Sequence, residues 1–430
     1  MGRPAHDQQG DVGRDHAGRG RHLDDVGVHR RFDPFRDRPR DRLRVSEHRL
    51  VDHQRTHRHQ LLASCLHGPF PGLPPGRAVR PRSPGPLARA PAGARAKTGR
   101  DGAARLAGAA DMDVVDARVE RILRAAASAP SVYNTQPWKV SFAGRTMSLR
   151  ADPARQLRHC DPHGREMLIS CGAFLFNARA AARRESLTAV VRVLPDPHDE
   201  LLVAQVDLEP GPIPNTDELE LSVAIARRTT SRVPFDDQPL FTDVLLAIQQ
   251  AAREENADLR PIQPSEPVRD EVLGLVRRAE SLAAEDPVAR DEELAWTATA
   301  RDRADGIPRD LLGPAPDDDG APVRRFLAST GTVPFEQRTT MALLSTPGDS
   351  PRDWITAGQA LEHALLVATT YFVHASFATT VLENPTTRHD LRRALGMDAA
   401  PQMLMRLGYS SVPLRTPRRT TEQLAVPRDG

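Results

Sequence analysis

Two short stretches carry residue types that hold anions and present hydrogen bonds at close spacing. Arg228, Thr230 and Arg232 put two guanidinium groups and a hydroxyl within five residues, in a turn closed by Pro234. A guanidinium fork matches a pair of phosphate oxygens, and charge-assisted bonds of that kind are about twice as strong as neutral ones. The second stretch, Ala129 to Trp138, reads APSVYNTQPW and places Ser131, Asn134, Thr135 and Gln136 beside one large aromatic. Pro130 stops the preceding helix, so this is a hydrogen-bonding loop between a helix and a strand. Taken alone, the arginines read first as a solvated basic turn.

The elements that must position these residues follow from hydrophobic spacing. Val115, Val119, Ile122, Leu123 and Ala126 recur at helical intervals and lead into the APSVYNTQPW loop. Trp138, Val140 and Phe142 then alternate with polar residues, Ala143-Gly144 turns the chain, and Met147 and Leu149 continue the pattern, which predicts a hairpin. A helix is expected over Leu168 to Ala182, then strands over Leu187 to Leu194 and Leu201 to Leu208. The Pro/Gly-rich piece Glu209 to Pro214 marks a boundary between lobes. Beyond it, Leu219, Val223 and Ala226 mark a helix that ends at the arginines, with further helices over Val244 to Ala252 and Val268 to Leu282. Residues 296–330, punctuated by ADGIP and GPAPDDDGAP, are expected to form a long mobile connection or lid. A strand over Met341 to Leu344, a long helix from Trp354 to about Phe377, a helix over Arg388 to Leu395 and a strand over Gln402 to Leu407 complete the chain.

Taken together, the two stretches resemble a known family. APSVYNTQPW resembles the SxxNxQPW loop of FMN-dependent nitroreductases, and RRTTSRVPF is similar to the segment that binds the FMN phosphate there. STPGDSPRDWITAGQALEHALLVAT and PQMLMRLGY look like that family's late helix and strand, and the basic pair Arg418-Arg419 falls where members commonly place a residue near the phosphate. The match runs from Met112 to the C-terminus and is closest to the single-chain Acg-type branch. It implies an α+β, nitroreductase-like fold of two degenerate protomer-like lobes, residues 112–210 and 211–430, preceded by a disordered segment, Met1 to Asp111. CGAFLFNARAAA, from Cys171, resembles GQALEHALLVAT, from Gly358, as an internal repeat.

The first lobe keeps the loop and the second keeps the arginines, so the resemblance implies one FMN per chain at a composite site. Ser131, Asn134 and Gln136 would hydrogen-bond the ribityl chain or ring edge. Arg228, Thr230 and Arg232 would hold the phosphate, with Arg418 or Arg419 completing its shell. NADPH or NADH would bind transiently as electron donor, and a small-molecule acceptor such as a nitroaromatic or quinone would take the electrons. No side chain need act as acid or base, because the flavin carries the chemistry. The alternative is an FMN storage or sequestration protein with little turnover. Trp138 is expected in the core, while Tyr133 could lie near the ring or in solvent. Phe372 stands where the family often has glycine, facing either the cofactor cleft or the core.

Composition narrows the remaining classes. A net charge of +2 over 430 residues gives no global nucleic-acid surface. Cys65, Cys160 and Cys171 show no metal or disulfide spacing, which suits a reducing cytoplasm, and no metal role is expected for His159 or Cys160. The run from Ala364 to Val381 reads as a buried helix rather than a membrane span. The first 111 residues are dense in Arg, His, Asp, Pro and Gly, too polar to offset the entropy of ordering them. The abrupt change in composition leads to the expectation that native translation begins at Met112. The chain is expected to act as a monomer with internal two-fold resemblance, further association remaining open.

Overall fold

The computed structural model describes residues 117–425 apart from 319 and 413, and the expectations for Met1 to Asp111 and for a start at Met112 lie outside the described residues. Helix α1 (residues 117–126) buries Ile122, Leu123 and Ala126 and ends four residues before Pro130, in a turn. Strands β1 (Trp138–Ala143) and β2 (Thr146–Ala151) form the expected hairpin, with Ala143 opposite Thr146 and Gly144 at φ 61° in the turn. Helix α2 (Arg165–Arg184), β3 (Leu187–Val193) and β4 (Leu202–Pro210) follow, and the four strands make an antiparallel sheet in the order β1-β2-β4-β3. Trp138 is fully buried in its core, 5.2 Å from the Phe174 ring of α2.

After a short connection come α3 (Thr216–Arg227), α4 (Thr242–Glu254), β5 (Asp258–Ile262), α5 (Val268–Glu285) and α6 (Pro287–Trp296). Four short strands lie within residues 297–333: β6 (Thr297–Thr299), β7 (Ile307–Pro308), β8 (Ala315–Pro316) and β9 (Thr332–Val333). Then β10 (Thr340–Thr346), α7 (Pro351–Thr370), β11 (Val373–Phe377), two short helices and β12 (Ala400–Tyr409) build a second antiparallel sheet, ordered β11-β12-β10-β5. Every residue of β10 is buried because both faces are covered. Ala342 and Leu344 join the cluster beneath α4 and α7, and Met341 and Leu343 join the one beneath α5. Such a strand reads as a continuous apolar run rather than an alternating one.

The sheets meet through α2 and α7, whose backbones touch. A Cβ on Gly172 would come within 2.2 Å of the Ile355 carbonyl oxygen, and one on Gly358 within 2.0 Å of the Ile169 carbonyl oxygen. Each glycine therefore leans on the partner helix three residues upstream of the other glycine. The repeat thus registers Gly172 on Gly358, one residue from the alignment of Cys171 with Gly358. By the same offset, the buried stack of Phe176 on His363, 4.6 Å between rings, is matched by the fully buried pair Asn177 and Glu362.

Three expectations are corrected. The long helix stops at Thr370 rather than near Phe377, because Phe372 turns the chain at φ 61° into β11. Phe372 faces neither cleft nor core: it is 40% exposed under the Arg227 guanidinium, 4.8 Å from its ring centre. Helix α3 buries Ser222, Ala224 and Ile225, leaving Leu219 and Val223 exposed. Its sequence is apolar on more than one side, and packing on α2 and α7 chooses the face. Strand β5 was hidden by Pro261, which an edge strand tolerates because one row of its N–H groups needs no partner.

Two outcomes test this packing. Gly358→Ala should lower stability by roughly 1–3 kcal/mol or more through overpacking, whereas Gly274→Ala, open on its helix, should raise it by about 0.5–1 kcal/mol; urea melts of both variants check the contrast. Phe372→Gly should stabilise by on the order of 0.5–1 kcal/mol, since relief of a left-handed conformation costing ~1–2 kcal/mol exceeds the lost ring–guanidinium contact of ~0.5–1 kcal/mol. A lowered urea midpoint would overturn that reading.

Candidate functional site

The 129–138 loop is wound tightly. Tyr133, Asn134 and Gln136 take φ values of 44°, 58° and 51°, a conformation costing roughly 1–2 kcal/mol per non-glycine residue and persisting only where surroundings enforce it. Here they do so from within and from two sides. Gln136 N–H donates to Ser131 Oγ at 2.9 Å, closing the loop on itself. Asn134 Nδ2 donates to the Gly306 carbonyl at 2.8 Å and the Pro417 carbonyl at 3.0 Å, and Gly306 N–H returns a bond to Asn134 O at 3.1 Å. Gln136 Nε2 donates to Ala304 O at 2.8 Å, while its Oε1 accepts Arg419 N–H at 2.9 Å. The loop is thus gripped between the 300–330 segment and the C-terminal tail.

Two crossings between the sheets bring the arginines here. After α3 the chain reaches the edge of the second sheet, where Thr230 bridges Ala375 and Ser231 N–H donates to Ala375 O at 2.8 Å. After β12 the tail returns to the first sheet, where Ala425 bridges Val140. The resulting cavity holds about 980 Å³ of empty space, including the solvent-open space at its mouth. Ser131, Tyr133 and Asn134 of the loop line it with Thr230 and Arg232 of the second stretch and Arg418 of the tail. Ile307, Leu312 and Pro314 close it from the 300–330 segment, where Gly313 lies so near that a Cβ would meet Arg232 O at 2.1 Å.

Electrostatics set this cavity apart. Arg228 donates to Ser128 O at 3.0 Å and lies 3.4 Å from Glu362, both side chains essentially sealed from water. Arg418 donates to Asn134 Oδ1 at 2.9 Å and Thr416 Oγ1 at 2.6 Å, leaving Nε buried without a partner. Arg232 has a buried Nη1 with no partner either. Burial, aided by Arg228, brings Arg232 down to about 10, and burial with the repulsion of Arg228 and Arg232 brings Arg418 down to about 9. Burial also pushes Glu362 up to about 7, against the pull of Arg228. Arg228 and Arg418 therefore share the reluctant Glu362 carboxylate, while Arg232 has no carboxylate partner, an arrangement that is costly until an anion completes it.

Of the eight residues expected here, Ser131, Asn134, Thr230, Arg232 and Arg418 line the cavity together. Arg228 lies behind them, held by Ser128 and Glu362. Gln136 and Arg419 are buried on the far side of the loop, where Arg419 Nη1 donates to the carbonyls of Gln136 and Trp138, each at 3.1 Å. Tyr133 is buried rather than in solvent. Sequence reasoning passed over Glu166, Ser170, Ser376, Thr379 and Arg324, which also line the cavity. Glu166 is buried beside Arg165 at 2.8 Å, and burial pushes its carboxyl up to about 8. A Glu at the start of a helix carries no signal of such burial.

Among the described residues no group of His, Cys, Asp and Glu could hold a metal ion, and no helix is long and apolar enough to cross a membrane. His159 instead pairs with Asp286 at 2.8 Å, and Cys171 donates its thiol to Pro137 O at 3.4 Å.

No protein-family model matches the chain. It is similar to curated proteins of Mycobacterium tuberculosis. The protein acg, which carries the name of an NAD(P)H nitroreductase, is 30% identical over 325 residues, 73% of this chain and 95% of that protein. A second of the same name, Rv3131, is 30% identical over 319 residues, 71% of this chain and 90% of its own length. The crystal structure of the FMN-dependent nitroreductase NfnB from Mycobacterium smegmatis in complex with NADPH matches 47% of this chain and 94% of that chain at 16% identity and a TM-score of 0.31, too low to bear on the assignment. Identity at that level along nearly all of acg rests the assignment on the whole folded region rather than on two motifs, and the chain belongs to the Acg-type branch of the nitroreductase family.

Proposed function

We propose that the cavity between the two sheets holds one FMN per chain and that the protein is an FMN-dependent oxidoreductase. The observation that carries this reading is the pair of buried guanidinium groups, Arg232 and Arg418, which line the cavity with unpartnered nitrogens, the Arg228–Glu362 pair lying behind them. A phosphate monoester supplies the missing negative charge and accepts from the orphaned nitrogens of Arg232 and Arg418. Thr230 adds a hydroxyl donor to the phosphate, while Ser131 and Asn134 offer polar edges to the rest of the cofactor. Gln136 and Arg419 act one step back, by holding the strained loop in place. Both curated relatives carry the NAD(P)H nitroreductase name, which supports NADPH or NADH as donor and a nitroaromatic, quinone or related small molecule as acceptor.

Bound here, FMN would accept a hydride from the nicotinamide and hand electrons to the acceptor. The chain's own part is to fix the phosphate, exclude water and present hydrogen bonds at the cavity wall. Glu166, whose carboxyl is pushed upward by burial against the pull of Arg165, presents a polar edge on that wall. We propose further that the two sheet-and-helix lobes, 112–210 and 211–430, act as an internal pseudo-dimer in a monomeric chain. The free thiols Cys160 and Cys171 fit a cytoplasmic setting.

One observation favours sequestration as the second reading. The 300–330 segment lines the cavity with Ile307, Leu312 and Pro314 and is bonded directly to the loop, so it narrows access to a bound flavin. Anaerobic mixing with NADPH or NADH separates the readings. The enzyme bleaches near 450 nm and recovers on addition of a nitroaromatic, whereas a sequestering protein stays yellow. A colourless protein that takes up no FMN would end both.

The phosphate assignment has its own test. Arg232→Met and Arg418→Met should each weaken FMN binding about 10- to 100-fold, as expected for losing charged hydrogen bonds of ~1.5–3 kcal/mol. Equilibrium dialysis should find one FMN per wild-type chain, and a ratio near two would rule out the single composite site.

A further inference from the structure

A second cavity lies on the other side of the loop, outside the proposed flavin site. It holds about 1200 Å³ of empty space with its outer part open to solvent, and it is bounded by α5, the start of α6 and residues 315–327. Tyr133, Arg324 and Phe326 line both cavities and so form the partition between them. The Arg324 guanidinium sits 4.8 Å over the Tyr133 ring, and the Tyr133 and Phe326 ring centres are 6.3 Å apart. Arg324 is buried, donates from Nε to Thr380 Oγ1 at 3.0 Å and is ion-paired with Glu383.

The remaining polar groups set the chemistry of a ligand. Glu280 accepts the Arg325 N–H with one oxygen at 2.9 Å and is buried beside the Thr380 hydroxyl. Glu293 accepts the Leu327 N–H at 2.8 Å. Burial raises both carboxyls toward their neutral, hydrogen-donating form. At the mouth, Arg277 and Arg290 are exposed and carry no ion pair among the described residues. The cavity thus offers two aromatic rings inclined at 59° to one another, two glutamates held by backbone N–H groups, and the guanidinium groups of Arg277 and Arg290 at its mouth. An anionic group at the mouth would meet those two guanidinium groups.

We propose that this second cavity is a binding site for a planar aromatic carboxylate of one or two rings, packed against the aromatic partition of Tyr133 and Phe326 with its carboxylate toward Arg277 and Arg290 at the mouth. The site is separate from the flavin cavity and does not depend on what that cavity holds. Its position one aromatic wall away makes it a holding place next to that cavity.

The full chain titrated with 2-naphthoate by calorimetry tests this, with 2-naphthylmethylammonium as the cationic comparison. Saturable 1:1 binding of the carboxylate, at least tenfold tighter than the cation, is expected. Ala284→Trp and Ser281→Trp fill the cavity from exposed positions on α5. Each should weaken 2-naphthoate at least tenfold while the circular dichroism and the FMN bound per chain stay as in the wild type. Absence of binding, equal affinity for the cation, competition by FMN, or unchanged affinity in a folded tryptophan variant would overturn the proposal. The FMN content is read separately, so a failed flavin assignment and a failed second site give different results.

Discussion

Much of this structure depends on one contact, the approach of two helix backbones at Gly172 and Gly358. No side chain fits between them, since a Cβ on either glycine would sit little more than 2 Å from a carbonyl oxygen of the other helix. The contact brings two separately built antiparallel sheets to a common seam. The chain then crosses that seam twice, once after α3 and once after β12, and each crossing ends as a bridge on the edge of the other sheet. Arg232 and Arg418 stand on those crossings, so the helix contact also fixes the distance between the charges.

Charge and strain act together at the seam. Buried guanidinium groups with too few carboxylates lower the stability of the folded chain. A loop with three left-handed non-glycine residues does the same. Both are held by overlapping bonds: Arg418 donates to Asn134, and Arg419 clasps Gln136. The tail that brings positive charge to the cavity also braces the loop. An anion that relieves the arginines would therefore reinforce the loop through the same bonds.

Much of this was legible in the sequence where local chemistry repeats a rule. The β1–β2 hairpin followed from alternation and Ala143-Gly144, and the burial of Trp138 from its place in that alternation. Resemblance to a known family, rather than residue type alone, pointed the two motif stretches to one site, and five of the eight named residues share a cavity. What stayed hidden depends on distant neighbours. Arg324 faces the loop only because the segment from α6 to β10 folds back, and nothing near it in sequence marks it as buried. Gln136 and Arg419 look like ligand groups by type, yet tertiary bonds turn them away from the cavity. Phe372 shows the opposite case. A position where the family resemblance suggested glycine concerned backbone conformation rather than access to a cleft.

The reach of the bond between Asn134 and Arg418 bears on when the cavity can exist. The two residues are 284 apart in the chain, and closing so long a loop is among the slowest and least local steps in folding. During synthesis the 129–138 loop leaves the ribosome long before the tail that clasps it. Until the tail arrives it lacks bonds that hold its left-handed residues in place. The cavity is accordingly assembled last, and a chain cut short before Arg418 would have both sheets but no finished site.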